Sequence, residues 1–150
     1  MAEKFTLGVD LGGSSSKATL LDRRGRIVFT STVEYPSYSP APGRLEQDAD
    51  ELFDAMLHNI RLCVGAASGA GGEIEALAID AATHMAVLCG DDGRPLRRFI
   101  HWSDSRSSEQ AAFLLEKHSG LLKRCCANSA SPAWTLPQLM WLQEHEPEVL

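Results

Sequence analysis

Residues 7–22 read LGVDLGGSSSKATLLD. The run 5–11 alternates apolar and polar residues before turning continuously apolar, the pattern of a strand entering a core. Gly12-Gly13-Ser14-Ser15-Ser16 is a turn, because glycine admits positive φ and serine hydroxyls bond local backbone. Residues 17–22 are a second strand. Asp10 stands at the end of an apolar strand, where a carboxylate is costly unless something uses it. A divalent cation is one such user. Successive turn amides make a nest for an anion, the three serines add hydroxyls, and Lys17 adds an ammonium. This mixture suits a magnesium-bound phosphate chain. The same residues also read as an ordinary Gly/Ser hairpin turn with Asp10 bonding its own backbone, and local chemistry alone leaves both readings open. Neither GxxxxGK[ST] nor GxGxxG occurs, which disfavours the P-loop and Rossmann nucleotide folds.

Working outward, Arg23-Arg24-Gly25-Arg26 is a second turn and 27–33 a third, β-branched strand, so the start of the chain is an antiparallel meander. Residues 35–43 (YPSYSPAPG) hold three prolines and form a loop. Leu52, Phe53, Met56, Leu57 and Ile60 share one helical face, with Asp48 as N-cap and Glu51 completing a capping box; this helix is expected to run to about residue 64, and Gly-rich 65–72 to be a loop. Residues 74–79 and 85–88 read as strands four and five, the latter closed by the turn Gly90-Asp91-Asp92-Gly93-Arg94. A helix is expected over 103–118, with Ala111, Ala112, Leu114 and Leu115 inward, and a last one from about Thr135, with Pro137 in its first turn. Strands followed by mixed strands and helices indicate an α/β or α+β layered domain.

The 150 residues are 44% apolar and 23% charged, an ordinary soluble composition with enough length for one cored domain. A net charge of −6 offers no basic field for nucleic acid. No apolar run reaches the roughly 20 residues of a membrane span, and the start shows no signal peptide. Cys63, Cys89, Cys125 and Cys126 have no CxxC spacing, so reduced thiols in a cytoplasmic protein are expected rather than a zinc site.

The order apolar strand, Asp-x-Gly-Gly-Ser, Lys, apolar strand resembles the first phosphate motif of the actin, hexokinase and heat-shock chaperone ATPase superfamily. Further stretches resemble the FGGY carbohydrate kinases, and among them the xylulose kinases. Gly43-Arg44-Leu45-Glu46-Gln47-Asp48 is similar to their G-x-x-E-Q-D. Residues 79–88 and Asp92-Gly93-Arg94-Pro95-Leu96-Arg97 are similar to their strand, substrate loop and second hairpin. Ile100-His101-Trp102-Ser103-Asp104-Ser105-Arg106 resembles I-L-W-x-D-x-R. Asn128, Pro132, the run 134–142 (WTLPQLMWL) and His145-Glu146-Pro147-Glu148 resemble a closing run that ends in H-E-P-E. The matches cover nearly the whole chain in the family's order.

The resemblance implies an α/β, ribonuclease-H-like, actin-like ATPase domain with a three-stranded meander, parallel strands and flanking helices, and an ATP- and Mg2+-dependent carbohydrate kinase. Asp10 would hold magnesium through water. Gly12, Gly13, Ser14 and Ser15 would meet the nucleotide phosphates, with Lys17 supporting their loop, though Lys17 reads equally as a solvated strand lysine. Thr83-His84 falls where xylulose kinases carry a Met-His pair that touches sugar hydroxyls, and Trp102, Asp104 and Arg106 would shape the sugar side. His84 also reads as a core histidine, Trp102 as core, and Asp104 with Arg106 as a cap and ion pair. Glu46 and Asp48 read as loop anchor and helix cap.

Ala81-Ala82 stands where the family has Gly-Gln, Met85 replaces a Gly, Trp134 a Phe and Gln138 a Lys, so a related ketopentose or polyol competes with xylulose as acceptor. The family's general-base aspartate and most of its adenine site lie in regions these residues do not match. Residues 1–150 are therefore expected to be a truncated N-terminal kinase domain, inactive alone, that partners a C-terminal kinase domain and a small carbohydrate. Uncovered apolar surface would favour association, a homodimer being one form. A ROK-type glucokinase and a non-catalytic sugar-sensing module of the same fold are the competing readings.

Overall fold

In the computed structural model, residues 2–127 and 129–150 are described. Asn128, one of the residues carrying the family resemblance, lies outside them. The chain folds as two units, Met1–Pro36 with Asp50–Ala82, and Ser37–Ala49 with Thr83–Leu150.

In the first unit, Phe5, Leu7 and Val9 are buried while Thr6, Gly8 and Asp10 between them are exposed. That period-2 alternation makes strand β1, Glu3–Leu11. It pairs antiparallel with β2, Ser15–Asp22, which pairs antiparallel with β3, Ile27–Glu34, as the meander reading expected. Helix α1, Ala49–Gly69, starts one residue after Asp48 and leads into β5, Gly72–Ala81, which lies parallel to β1. The sheet order is β3-β2-β1-β5. The core joins Phe5, Leu7, Val9, Ala18 and Leu20 of the sheet to Met56, Cys63 and Ala67 of the helix. A polar anchor crosses it: buried Asn59 donates to the Ser16 carbonyl at 2.9 Å and accepts from the Ser31 hydroxyl at 2.6 Å.

Two boundaries differ from expectation for the same reason. The helix passes Gly65 and runs five residues beyond 64, because buried Cys63 and Ala67 bracket that glycine and pack on the sheet. That burial offsets the roughly 1 kcal/mol a helical glycine costs. Gly72 then opens β5 rather than a loop: a Cβ there would overlap the Glu3 carbonyl and the Phe5 ring, so only glycine lets β5 approach β1 at its start. As the edge strand, β5 leaves Leu77 and Ile79 half exposed.

The β2–β3 turn is fixed by Asp22, which is nearly buried. Its Oδ1 accepts the amides of Arg24 at 2.8 Å and Arg26 at 3.0 Å, and its Oδ2 accepts Arg26 Nε at 2.7 Å. Gly25 supplies the positive φ of 75°. The Arg26 amide, partly opposed by burial and aided by the Arg26 guanidinium and the Arg24 amide, holds the Asp22 carboxyl below its ordinary 3.8. A carboxyl lowered on folding adds stability that is present above its unfolded pKa and lost as pH falls through the folded value. Asp22→Asn should therefore melt below wild type at pH 7, with the gap between their melting curves closing as pH drops below about 4.

The second unit is built around a two-stranded ribbon, β4 (Glu46–Gln47) antiparallel to β6 (Phe99–Ile100), with helices α2, Ser108–Cys126, and α3, Thr135–His145, and a closing 3-10 turn, Pro147–Val149. Ile100, Trp141 and Leu142 form its core, with Leu88, Leu139 and Val149 against it. Residues 85–88 are not a ladder strand. Among the described residues, their leg is tied where the Leu96 amide bonds the Leu88 carbonyl at 2.9 Å and Cys89 bridges Pro95. The Gly90–Gly93 turn forms as read, with Asp92 accepting the Arg94 amide at 3.0 Å just as Asp22 does in the first unit. Helix α2 starts five residues later than expected and ends eight later. It buries Gln110, Ala111 and Leu114, whereas Ala112 and Leu115 are exposed. No helix among the described residues is long and apolar enough to cross a membrane.

Candidate functional site

Asp10 lies at the C-terminal end of β1 on the exposed side of the strand. Its register partners are Lys17 on β2 and Asp80 on β5. Because β1 and β5 are parallel, both carboxylates stand at the carboxyl ends of neighbouring strands, where open α/β sheets bind ligands. Asp80 Oδ1 accepts the amide of Ala81 at 3.0 Å. Lys17 is exposed.

The turn after β1 closes when the Gly12 amide donates to the Ser15 carbonyl at 3.0 Å. A Cβ on Gly12 would meet that same oxygen at 3.2 Å, so the turn has little room for a side chain there. The carbonyls of Gly12 and Ser14 both go to Tyr35, just beyond β3. The Tyr35 hydroxyl donates to Gly12 O in a short bond, and the Tyr35 amide donates to Ser14 O at 3.2 Å. Burial, reinforced by the nearby Asp10 carboxylate, pushes the Tyr35 phenol above its ordinary pKa, which keeps it a neutral donor. Ser14 is exposed, Ser15 half-buried, and Ser16 buried in β2. The turn thus presents small residues, hydroxyls and constrained amides beside a carboxylate.

This donor set fits Mg2+ carried on a nucleotide. Magnesium is usually held by one or two carboxylates plus substrate phosphates and keeps several waters, rather than by an all-protein cage. Asp10 and Asp80 supply two carboxylates, and the described residues contain no group of three or more His, Cys, Asp or Glu placed to hold a metal.

In the second unit, Thr83 and His84 are exposed. His84 adopts a left-handed φ of 60°, uncommon outside glycine, and its ring stacks on Trp134 with centroids 5.6 Å apart and planes at 21°. Trp102 is half exposed and packs at a tilt on His101, centroids 5.3 Å apart. Asp104 and Arg106 are interior: their side chains are 1% and 2% exposed. Arg106 forks onto Asp104 through Nε at 3.0 Å and Nη2 at 2.9 Å, and its Nη1 reaches Glu46 at 2.8 Å. Glu46 also accepts Arg97 at 2.6 Å, and Arg97 pairs with Glu146 at 2.9 Å. Asp104 accepts the Leu45 amide at 2.5 Å and the Arg106 amide at 2.8 Å. Burial disfavours the Arg106 charge, but the bonds to Asp104 and Glu46 outweigh it and raise its pKa above its ordinary value. Gly43, at φ 75°, completes the loop anchor; a Cβ there would meet Ser105 Oγ at 2.7 Å. The network laces residues 101–107 to residues 43–46 and holds the backbone that carries Trp102.

Residues 5–150 match the model of the N-terminal domain of the FGGY family of carbohydrate kinases. The chain belongs to the FGGY family. A xylulose kinase of Staphylococcus epidermidis is 30% identical over 99% of this FGGY chain and 29% of its own length. A glycerol kinase of Thermococcus kodakarensis is 26% identical over 97% of the chain and 29% of its own. The crystal structure of xylulose kinase from Rhodospirillum rubrum superposes with a TM-score of 0.90 at 25% identity, over 97% of this chain and 30% of that one. The FGGY chain therefore spans about 29% of the length of the curated relatives it matches, and its fold is the actin-like ATPase fold those kinases share.

Among the residues proposed from sequence, the FGGY fold brings Asp10, Gly12, Gly13, Ser14, Ser15 and Lys17 together on one hairpin of the first unit. Thr83, His84, Trp102, Asp104 and Arg106 all fall in the second. Sequence reading missed Asp80 and Tyr35. Asp80 carried the signal that singled out Asp10, an aspartate closing an apolar strand. Tyr35, at the head of a proline-rich loop, carried none, because its two bonds span residues 21 and 23 positions apart.

Proposed function

We propose that the protein containing this chain is an ATP-dependent kinase that phosphorylates a hydroxyl of a small carbohydrate, with a ketopentose such as D-xylulose as the first acceptor to test. The observation that carries this reading is the Asp10 hairpin, a turn with its carbonyls engaged beside a strand-end carboxylate, on a chain of the FGGY family. The first unit would take the nucleotide: amides and hydroxyls of Gly12, Gly13, Ser14 and Ser15 meet phosphate oxygens, Lys17 supports the loop, and Asp10, with Asp80 beside it, takes Mg2+ through water. Magnesium, when bound, neutralises charge on the transferring phosphoryl group. The second unit would take the sugar, with Thr83, His84 and Trp102 in contact with it and the Asp104–Arg106 pair holding their loop. The acceptor hydroxyl oxygen forms a bond to the γ-phosphorus, the bond to the β–γ bridging oxygen breaks, and the hydroxyl proton passes to an aspartate outside residues 1–150. Positioning and charge stabilisation supply most of the catalysis.

The ketopentose rests on the xylulose kinases among the relatives, while the glycerol kinase likeness and Ala81-Ala82 keep polyols in the panel. Residues 1–150 are proposed as part of an N-terminal domain completed by a C-terminal kinase domain. The exposed Leu77 and Ile79 on β5 and the 29% span of the relatives support that arrangement. The test is ADP release from Mg-ATP by the full-length protein with ketopentoses, polyols and glycerol. Stimulation by one of them is expected, with background turnover by residues 1–150 alone. No stimulation by any of them, with Mg-ATP still bound, would replace the kinase reading with that of a binding module.

A further inference from the structure

We infer that Trp134 is a positioning residue for His84, holding the imidazole by its face so that the ring edge serves the acceptor; the role rests on the sugar-site reading above. His84 sits at φ 60°, a conformation that a residue with a Cβ rarely takes and that persists where the surroundings hold it. His84 is exposed, so core packing does not hold it there. The half-buried Trp134 does: the two rings stack with centroids 5.6 Å apart and planes at 21°, within the separation at which offset aromatic pairs attract. The support is firm because Trp134 is the N-cap of α3. Its amide donates to the Ser131 carbonyl at 3.0 Å, and its own carbonyl accepts the Gln138 amide at 3.3 Å, the first bond of that helix. A stack uses the π face alone. Both imidazole nitrogens lie in the ring plane and keep their capacity for hydroxyls, one as donor and the other as acceptor in the neutral ring. An unsupported exposed histidine would lose rotamer freedom at the moment of binding, and the stack removes that cost beforehand.

The test uses the full-length protein, with D-xylulose, or the panel member that stimulates turnover in its place, as acceptor. Trp134→Leu removes the stacking face and should lower kcat/KM for the acceptor about three- to tenfold, the range one aromatic pair spans, with the KM for Mg-ATP unchanged. Trp134→Phe keeps a face and should recover most of the loss. A double-mutant cycle with His84→Ala separates positioning from a general weakening of the unit: if Trp134 acts through His84, Trp134→Leu adds less than about twofold to the loss that His84→Ala already causes. One readout needs no change at 134. The indole ring current should displace the His84 ring-proton resonances of the wild type upfield, the signals being assigned by their disappearance in His84→Ala. Undisplaced resonances, equal losses in Trp134→Phe and Trp134→Leu, or losses that multiply in the double variant each overturn the positioning role and leave the sugar site in place. Wild-type kcat/KM in His84→Ala removes His84 from the sugar site and this role with it.

Discussion

Arg106→Met should destabilise the protein by about 3–5 kcal/mol, the usual cost of removing one partner from a buried ion pair. Asp104 is left with its carboxylate 1% exposed and the forked Nε and Nη2 donors gone, and Glu46 loses one of its two arginines. The amides of Leu45 and Arg106 still reach Asp104, but two neutral donors do not replace a guanidinium. Methionine is close in length, so the loss is electrostatic rather than a cavity. Arg106→Lys should fall between the two: the charge stays, but an ammonium cannot fork onto Asp104 while also reaching Glu46. Guanidinium unfolding monitored by tryptophan fluorescence checks both, since Trp141 lies 5.0 Å from the Arg106 guanidinium. A loss below 1 kcal/mol for Arg106→Met would show the network to be solvated in practice.

Asp10→Asn should lower sugar-dependent ADP release by the full-length protein about 100-fold or more, with the fold unchanged. The side chain is exposed, so the substitution removes charge without touching the core, and melting should stay within a few degrees of wild type. The effect on turnover follows from metal-assisted phosphoryl transfer, where the ion supplies several kcal/mol and each 1.36 kcal/mol is tenfold in rate. Asp80→Asn should cost less if Asp80 only shapes the local field, and as much if it shares the ion. Mg2+ dependence of turnover in the two variants tells these apart: a raised Mg2+ requirement in Asp10→Asn alone assigns the ion to Asp10. Unchanged turnover in Asp10→Asn would remove Asp10 from the metal site.

Where prediction from sequence worked, the information was local. The β1–β2–β3 meander follows from period-2 alternation and turns at Gly12-Gly13 and Gly25, each legible within four residues. The α1 start follows from Asp48. The motif order identified the family because FGGY residues stand at matching positions along nearly the entire chain. Where it failed, a distant partner decided. Residues 103–107 lie within the helix expected from sequence, yet Asp104 bonds Leu45 across 59 positions and the Ser105 amide bonds Gly43, so helix α2 waits until Ser108. Residues 85–88 are apolar enough for a strand, but among the described residues they join no ladder and meet their neighbour at the Leu88–Leu96 bond. Gly65 looks like a helix end until the sheet it packs on is known. The Asp104–Arg106 pair was read both as a cap with ion pair and as a sugar contact, and its depth is what the tertiary structure added.

The sequence by itself determined the hairpin, its strand-end carboxylate and the family, because each is written in the kind and spacing of adjacent residues. The tertiary structure alone decided which oxygens of the turn Tyr35 engages, that Asp80 stands beside Asp10, and that the Arg106 side chain is buried against Asp104. Each of these depends on residues far apart in the chain meeting in space, and spacing along one strand or helix cannot report such a meeting.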